Sequence, residues 1–296
     1  MEKRKNNTKM EGNTLEKGID LSIIIPLYNT PLVYLKECLE SIVKANLRYT
    51  FEIIIVNDGS TNQEITDFLK EYKNPHTTII HKENTGVSDS RNIGMERSRG
   101  QFVICLDSDD KILPAINEAL DYLRENKEYS ALFCDVQFFG DSDYYYKKGE
   151  FSKFQLLYIS NMLTPSSTLF RREIAAAVQF NKDLSYSEDK DFFYRAVHKG
   201  FQFKYFPKTF CFYRKIYNNQ SLSQKNIAMR DEVENFIKSQ FNPHHEITID
   251  DVNQYILHNF RGHKKHLIKM CIILFSPRLF KFLLSKKIYK NNIVIE

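Results

Sequence analysis

Five short apolar runs rich in β-branched residues punctuate the first half of the chain: "LSIIIPLY" (21–28), "FEIIIVN" (51–57), "TTIIH" (77–81), "QFVICLD" (101–107) and "SALFCDVQF" (130–138). Helical apolar spacing fills the intervals, over 32–46, 62–73, 87–98 and 114–127. Strands this uniformly apolar are buried on both faces, and strands that alternate with helices build a parallel sheet. The pattern predicts an α/β fold with a mostly parallel sheet and helices on both faces. Pro31 and Pro114 sit at first-turn positions of two of those helices, where a missing N–H costs nothing. In such sheets ligands bind outside the carboxyl ends of the strands. Tyr28, Asp58 and Asp107 each stand at such an end.

The second half is less regular. An aromatic, turn-rich stretch, "GDSDYYYKKGEFSKF" (140–154), precedes a short polar strand candidate, "TPSSTLFRR" (164–172). A helix opened by acids, "SYSEDKDFFYRAVHKG" (185–200), leads to two strand-like runs, "FQFKYFP" and "TFCFYRK". From about Lys225 the pattern is helical to the end.

Charge is distributed unevenly. The net value is only +5, yet 257–296 carries nine Lys/Arg and one acid, Glu296. Basic residues interleaved with Leu, Ile and Phe over 259–290 suit a helix pair lying on anionic lipid, and equally a lid packed on the domain. His263 and His266 belong to this cationic surface. No nucleic-acid-binding motif accompanies it, so no nucleic-acid partner is expected. The most apolar segment, 267–284, is interrupted by Lys269, Pro277, Arg278 and Lys281, so no membrane span is expected. The polar start of the chain carries no apolar signal region. Five scattered cysteines, mostly within apolar runs, read as reduced core thiols. The expected location is cytoplasmic, peripheral at the inner face of the cell membrane.

Two phosphate-binding signatures are missing. The first strand is followed by "PLYNTP", which has no glycine, and no P-loop motif occurs. What stands out is "CLDSDD" (105–110), where Asp107, Asp109 and Asp110 crowd the end of an apolar strand. Such carboxylates repel one another unless a cation joins them, and hard divalent cations prefer oxygen ligands. Upstream, "NTGVSDSRNIG" (84–94) combines a helix N-terminus after Gly86 with Arg91, a side chain suited to phosphate or base. Tyr28 could stack a flat base, and Asp58 could accept a hydrogen bond from an imide N–H. Taken singly, "NDGS" is an ordinary turn and the acids of 188–191 an ordinary helix start.

Together, "SIIIPLYN", "IIIVNDGST", "NTGVSDSRNIG", "FVICLDSDD" and "SEDKDFFYR" resemble, in order and spacing, the family-2 glycosyltransferases of the GT-A fold. The likeness covers residues 20–225. It implies a Rossmann-like catalytic domain over that span, flanked by a disordered leader (1–19) and a basic, amphipathic helical extension (226–296). It implies that Pro26, Tyr28, Asn29 and Asp58 line a nucleoside pocket, most often for uridine, with Arg91 beside it. Asp107 and Asp109, flanking Ser108, become the Asp-x-Asp pair, which touches ribose and a divalent ion, Mn²⁺ or Mg²⁺. Asp189 becomes the general base, and Glu188 beside it is expected to orient the acceptor or to pair with a cation. Arg214 and Ser221 belong to a flexible loop closing over the diphosphate.

The resemblance further implies an inverting transfer of sugar from a nucleotide-diphosphate donor, UDP-linked by preference, to a glycan or lipid-linked acceptor in bacterial surface-polysaccharide or glycoprotein synthesis. Two rival readings remain at this point, a sugar-phosphate nucleotidyltransferase and a silent homologue acting as a scaffold. The sequence departs from the family pattern at Ser90, usually alanine. It also lacks a histidine near the end of 213–224, and it matches loosely over 140–168.

Overall fold

The fold is seen in a computed structural model that describes residues 18–151, 156 and 163–216. The elements in chain order begin with β1 (Leu21–Leu27), α1 (Leu32–Lys44), β2 (Phe51–Asp58), α2 (Gln63–Glu71), β3 (Thr77–Lys82), α3 (Val87–Arg97) and β4 (Phe102–Cys105). They continue with β5 (Lys111–Ile112), α4 (Ile116–Glu125), β6 (Ala131–Cys134), β7 (Val136–Gly140) and β8 (Tyr145–Tyr146). A single 3₁₀ turn (Pro165–Ser167) leads into β9 (Thr168–Arg171), α5 (Arg172–Ala177), α6 (Glu188–His198), β10 (Phe203–Phe206) and β11 (Cys211–Lys215). The expected extension, 226–296, and the leader lie outside the described residues.

Seven strands form one sheet in the order β10-β6-β9-β4-β1-β2-β3, parallel except for β9, which runs antiparallel to both β4 and β6. Alternate residues of β1 serve opposite faces, as a strand's two-residue period requires. Ile23 and Ile25 join Leu35 of α1, Ile65 of α2 and Leu120 of α4 in one core, whereas Ile24 joins Met95 of α3 and Phe192 of α6 in the other. Helices therefore cover both faces, as the sequence predicts.

Three expectations are corrected. The run 130–138 is not one strand. It splits at the buried Asp135, with β6 in the main sheet and β7 in a second sheet of order β5-β11-β7-β8. The run 77–81 is not fully buried, because β3 is the outer strand of the main sheet and is only partly covered. Pro31 and Pro114 precede their helices rather than sitting inside the first turn, since α1 starts at Leu32 and α4 at Ile116.

Helix α3 lies close against β1 because Gly94 has no side chain. A Cβ there would stand 2.2 Å from the Ile24 Cγ2 methyl. Gly94→Ala should therefore cost about 1–3 kcal/mol of stability, the usual range for overfilling a packed core. A shift of the urea midpoint without a change of slope would register it.

Candidate active site

The chain leaves β1 for β2 on one side and returns to β4 on the other, which makes the β1/β4 boundary a switch point. Pro26 helps to open it. The Ile24 carbonyl accepts the Leu106 N–H (2.8 Å), so Pro26, two residues on, faces β4 as well but has no N–H to extend the ladder. Pro26 thus acts through the backbone, from a buried position in β1. Beyond the parting, residues 107–110 form a tight turn in which the Asp110 N–H donates to the Asp107 carbonyl (2.9 Å). The Asp107 N–H donates to Ser166 Oγ (3.0 Å), and Ser108 Oγ meets Thr30 Oγ1 at 2.6 Å.

The three acids of this turn differ in surroundings. Asp107 is a quarter exposed and bonds Arg91 through Oδ1. Burial, and then the charge of Asp107, push the Asp109 carboxyl up to about 6. Asp110 is buried, its Oδ1 accepts the Arg214 N–H (2.8 Å), and burial together with its two acidic neighbours raises its carboxyl well above the ordinary range. Asp110 braces the turn, leaving Asp107 and Asp109 as the outward pair.

Arg91 joins two motifs that lie far apart in sequence. It donates through one terminal nitrogen to Asp107 Oδ1 (2.9 Å) and through the other to Glu188 Oε1 (2.8 Å). Its guanidinium also lies over the Phe180 ring, 5.2 Å from the centroid. Burial opposes its charge, but Asp107 and Glu188 outweigh that and raise its pKa. Arg91 is thus a buried clamp between the acidic turn and the start of α6. The guanidinium expected beside a nucleoside thus already has two carboxylate partners, one of them Asp107. Glu188 is correspondingly committed to Arg91, while Asp189, next along α6, stands one residue nearer the helix interior. Ser187, at φ 55°, turns the chain sharply into α6.

The remaining pocket candidates gather at the β1 and β2 ends. Tyr28 is half exposed, open for a planar partner. Asn29, at φ 49°, accepts the Thr61 and Asn62 N–H groups (2.8 and 2.9 Å) through Oδ1, and its own N–H donates to Ser60 Oγ (3.0 Å). It fastens the Tyr28 loop to the loop before α2. Asp58 accepts from the Thr85 and Gly86 N–H groups (2.9 and 3.0 Å) and pairs with Lys82. Its Oδ2 carries only the Gly86 bond among the described residues and retains acceptor capacity.

Arg214 lies in β11 rather than in a flexible loop. Its guanidinium is packed between the rings of Tyr34 (3.9 Å) and Phe139 (4.3 Å), pairs with Glu37, and donates to the Asp109 carbonyl (3.0 Å). It holds the acidic turn against the second sheet. Ser221 and the rest of the expected loop lie outside the described residues.

Sequence reasoning missed several residues of the same region. Tyr213 of β11 has its phenol raised well above the ordinary value by burial, and the charges of Asp110, Asp107, Asp109 and Asp189 all add to that. Asp135 is buried and accepts from Tyr145 (2.5 Å), Tyr205 (2.7 Å) and the Lys148 N–H (2.7 Å). Lys148 donates from Nζ to Ser167 Oγ (2.6 Å). The only sequence signal was the pair of serines, Ser166 and Ser167, in the short polar strand candidate 164–172.

Comparisons with known proteins identify the family and the fold. The model of "Glycosyl transferase family 2" matches residues 22–179, more than half of the chain. An uncharacterized glycosyltransferase of Methanocaldococcus jannaschii is 28% identical over 193 residues, covering 62% of this chain and 66% of that protein. The minor teichoic acid biosynthesis protein GgaB of Bacillus subtilis is 28% identical over 182 residues, 57% of this chain and 20% of GgaB. Crystalline S. aureus TarS 1–349, in complex with UDP-GlcNAc, superposes with a TM-score of 0.60 at 21% identity, over 81% of this chain and 73% of that one. The mostly parallel sheet with helices on both faces is that of a GT-A domain, and the chain belongs to glycosyl transferase family 2. It spans between a fifth and two thirds of the length of these two curated relatives.

Proposed function

We propose that this protein transfers a sugar from a nucleotide-diphosphate donor, UDP-linked by preference, to a hydroxyl of a cell-surface glycan or lipid-linked acceptor, with inversion. The observation that carries the reading is the Arg91 clamp. It ties Asp107 of the 107–110 turn to Glu188, the neighbour of Asp189, near the strand ends. Family membership supports the reaction class, a TarS complex with UDP-GlcNAc supports the donor class, and GgaB supports the polymer setting.

The donor atoms fit a divalent ion. Asp107 and Asp109 offer carboxylate oxygens, the ligands that Mn²⁺ and Mg²⁺ take. Asp107 commits only Oδ1 to Arg91 among the described residues. No three His, Cys, Asp or Glu side chains converge into a metal cage among the described residues, which suits an ion that completes its shell with phosphate oxygens. Bound there, the ion would offset charge on the departing diphosphate. Tyr28 would stack the base, Asp58 Oδ2 would accept from it, and Asp189 would take the proton of the acceptor hydroxyl. With one base and no enzyme nucleophile in the assignment, single displacement follows.

The pH behaviour can be worked out from Asp109. Its folded value of about 6 lies above the ordinary 3.8, so its protonated form favours the fold below that ordinary value. The contribution is lost as pH rises towards the folded value. An ion takes the ionised form, so its binding competes with that proton. The rise in Tm on adding Mn²⁺ with UDP should be larger near pH 7.5 than near about pH 5. Equal rises at both pH values would remove Asp109 from the ion's ligands. The reaction itself is tested by UDP release over a panel of UDP-sugars and acceptors. Sustained release with one pair supports the transferase, and intact donor across a broad panel favours a silent binding homologue.

A further inference from the structure

Lys148 is more than nine-tenths buried, yet among the described residues it has no carboxylate within ion-pair distance. Its side chain makes one hydrogen bond, to Ser167 Oγ. An ammonium has three N–H donors, so two are unspent in a place water hardly reaches. Burial lowers its pKa to about 8, with the carboxylates of Asp135 and Asp189 acting the other way, so most of it remains charged near neutral pH. A buried cation without a partner is costly, and such groups are paired when the protein performs its task.

Its position is informative. The 3₁₀ turn 165–167 holds both sides of the crevice: Ser166 Oγ receives the Asp107 N–H, and Ser167 Oγ receives Lys148 Nζ. Thr164 Oγ1 lies 2.6 Å from the same Ser167 oxygen. Asp135 fixes the Lys148 backbone and is itself held by two tyrosine hydroxyls. Lys148 is also near enough to Asp189 for their charges to interact. The cation is therefore tied to the same short turn that holds the acidic turn, through the serine next to the one that Asp107 bonds.

We propose that Lys148 is a specificity-determining residue that takes an anionic oxygen group, phosphate or carboxylate, carried by the sugar or polyol substrate beside the base. A lysine binds such a group as a point charge with rotatable donors, without demanding one orientation. The proposal rests on the glycosyltransferase reading for its substrate, and its test separates the two. The full chain is first titrated calorimetrically with UDP and Mn²⁺. The UDP-loaded protein is then titrated with glycerol phosphate and with glucuronic acid, with glycerol and glucose as uncharged controls.

The expected result is binding of at least one anionic probe but not of its neutral counterpart. Lys148→Met should weaken that binding at least on the order of tenfold while leaving UDP affinity within about twofold. Lys148→Arg, which keeps the charge, should recover part of it and guards against a folding defect. Preference for phosphate or for carboxylate identifies the source of the anion. Equal binding of charged and neutral probes, no binding of either anion, or an undiminished anion affinity in Lys148→Met overturns the proposal. Absent UDP binding with intact anion binding would count against the donor reading alone.

Discussion

Replacing Asp189 by Asn is expected to lower kcat on the order of 10²–10⁴-fold, the usual worth of a positioned general base. The change keeps size and shape but removes the basicity needed to accept the acceptor proton. UDP affinity should hold, because the proposed nucleotide contacts are Tyr28 and Asp58. Glu188→Gln should act differently. Glu188 bonds Arg91 at 2.8 Å, so its amide would leave a buried guanidinium under-compensated, and the loss should appear in stability as well as in turnover. Turnover of both variants, read beside their UDP calorimetry and melting curves, decides the assignment. Near-native turnover in Asp189→Asn would move the base to another residue.

The second large effect belongs to Arg91. Its side chain is 4% exposed and pairs with two carboxylates that are themselves partly buried. Arg91→Met removes the cation but leaves Asp107 and Glu188 facing one another. Breaking a buried pair by taking one partner typically costs about 3–5 kcal/mol. A comparable loss is expected here, with Asp107 no longer held in place for the donor. Arg91→Lys should not restore function, since a single ammonium cannot bridge two acids with the spread of a planar fork. Chemical denaturation of the three proteins measures this. A stable Arg91→Met variant with unchanged donor binding would show that the clamp is dispensable.

Much of the architecture was legible because burial on both faces forces β-branched runs, and those runs name β1, β2 and β4 almost residue by residue. The failures have physical causes. The run 130–138 looks continuous because Asp135 is a single polar residue in it, yet it marks where the backbone passes from one sheet to another. An antiparallel β9 inside a parallel sheet leaves no trace in apolar spacing. The acidic residues were conspicuous because crowded carboxylates need an explanation. The arginines were visible but their partners were not: the same guanidinium serves phosphate, two carboxylates or an aromatic sandwich, and only packing distinguishes them. Lys148 was hidden in the turn-rich stretch 140–154, where no periodicity separates a buried cation from a solvated one.

The central claim is that Asp107 and Asp109 hold a divalent ion that a nucleoside diphosphate shares. Calorimetric titration of UDP into the protein with Mn²⁺, repeated after chelation and with Asp109→Asn, tests it most directly. The account predicts binding in the first case and a loss on the order of tenfold or more in the other two. Equal UDP affinity under all three conditions would contradict it.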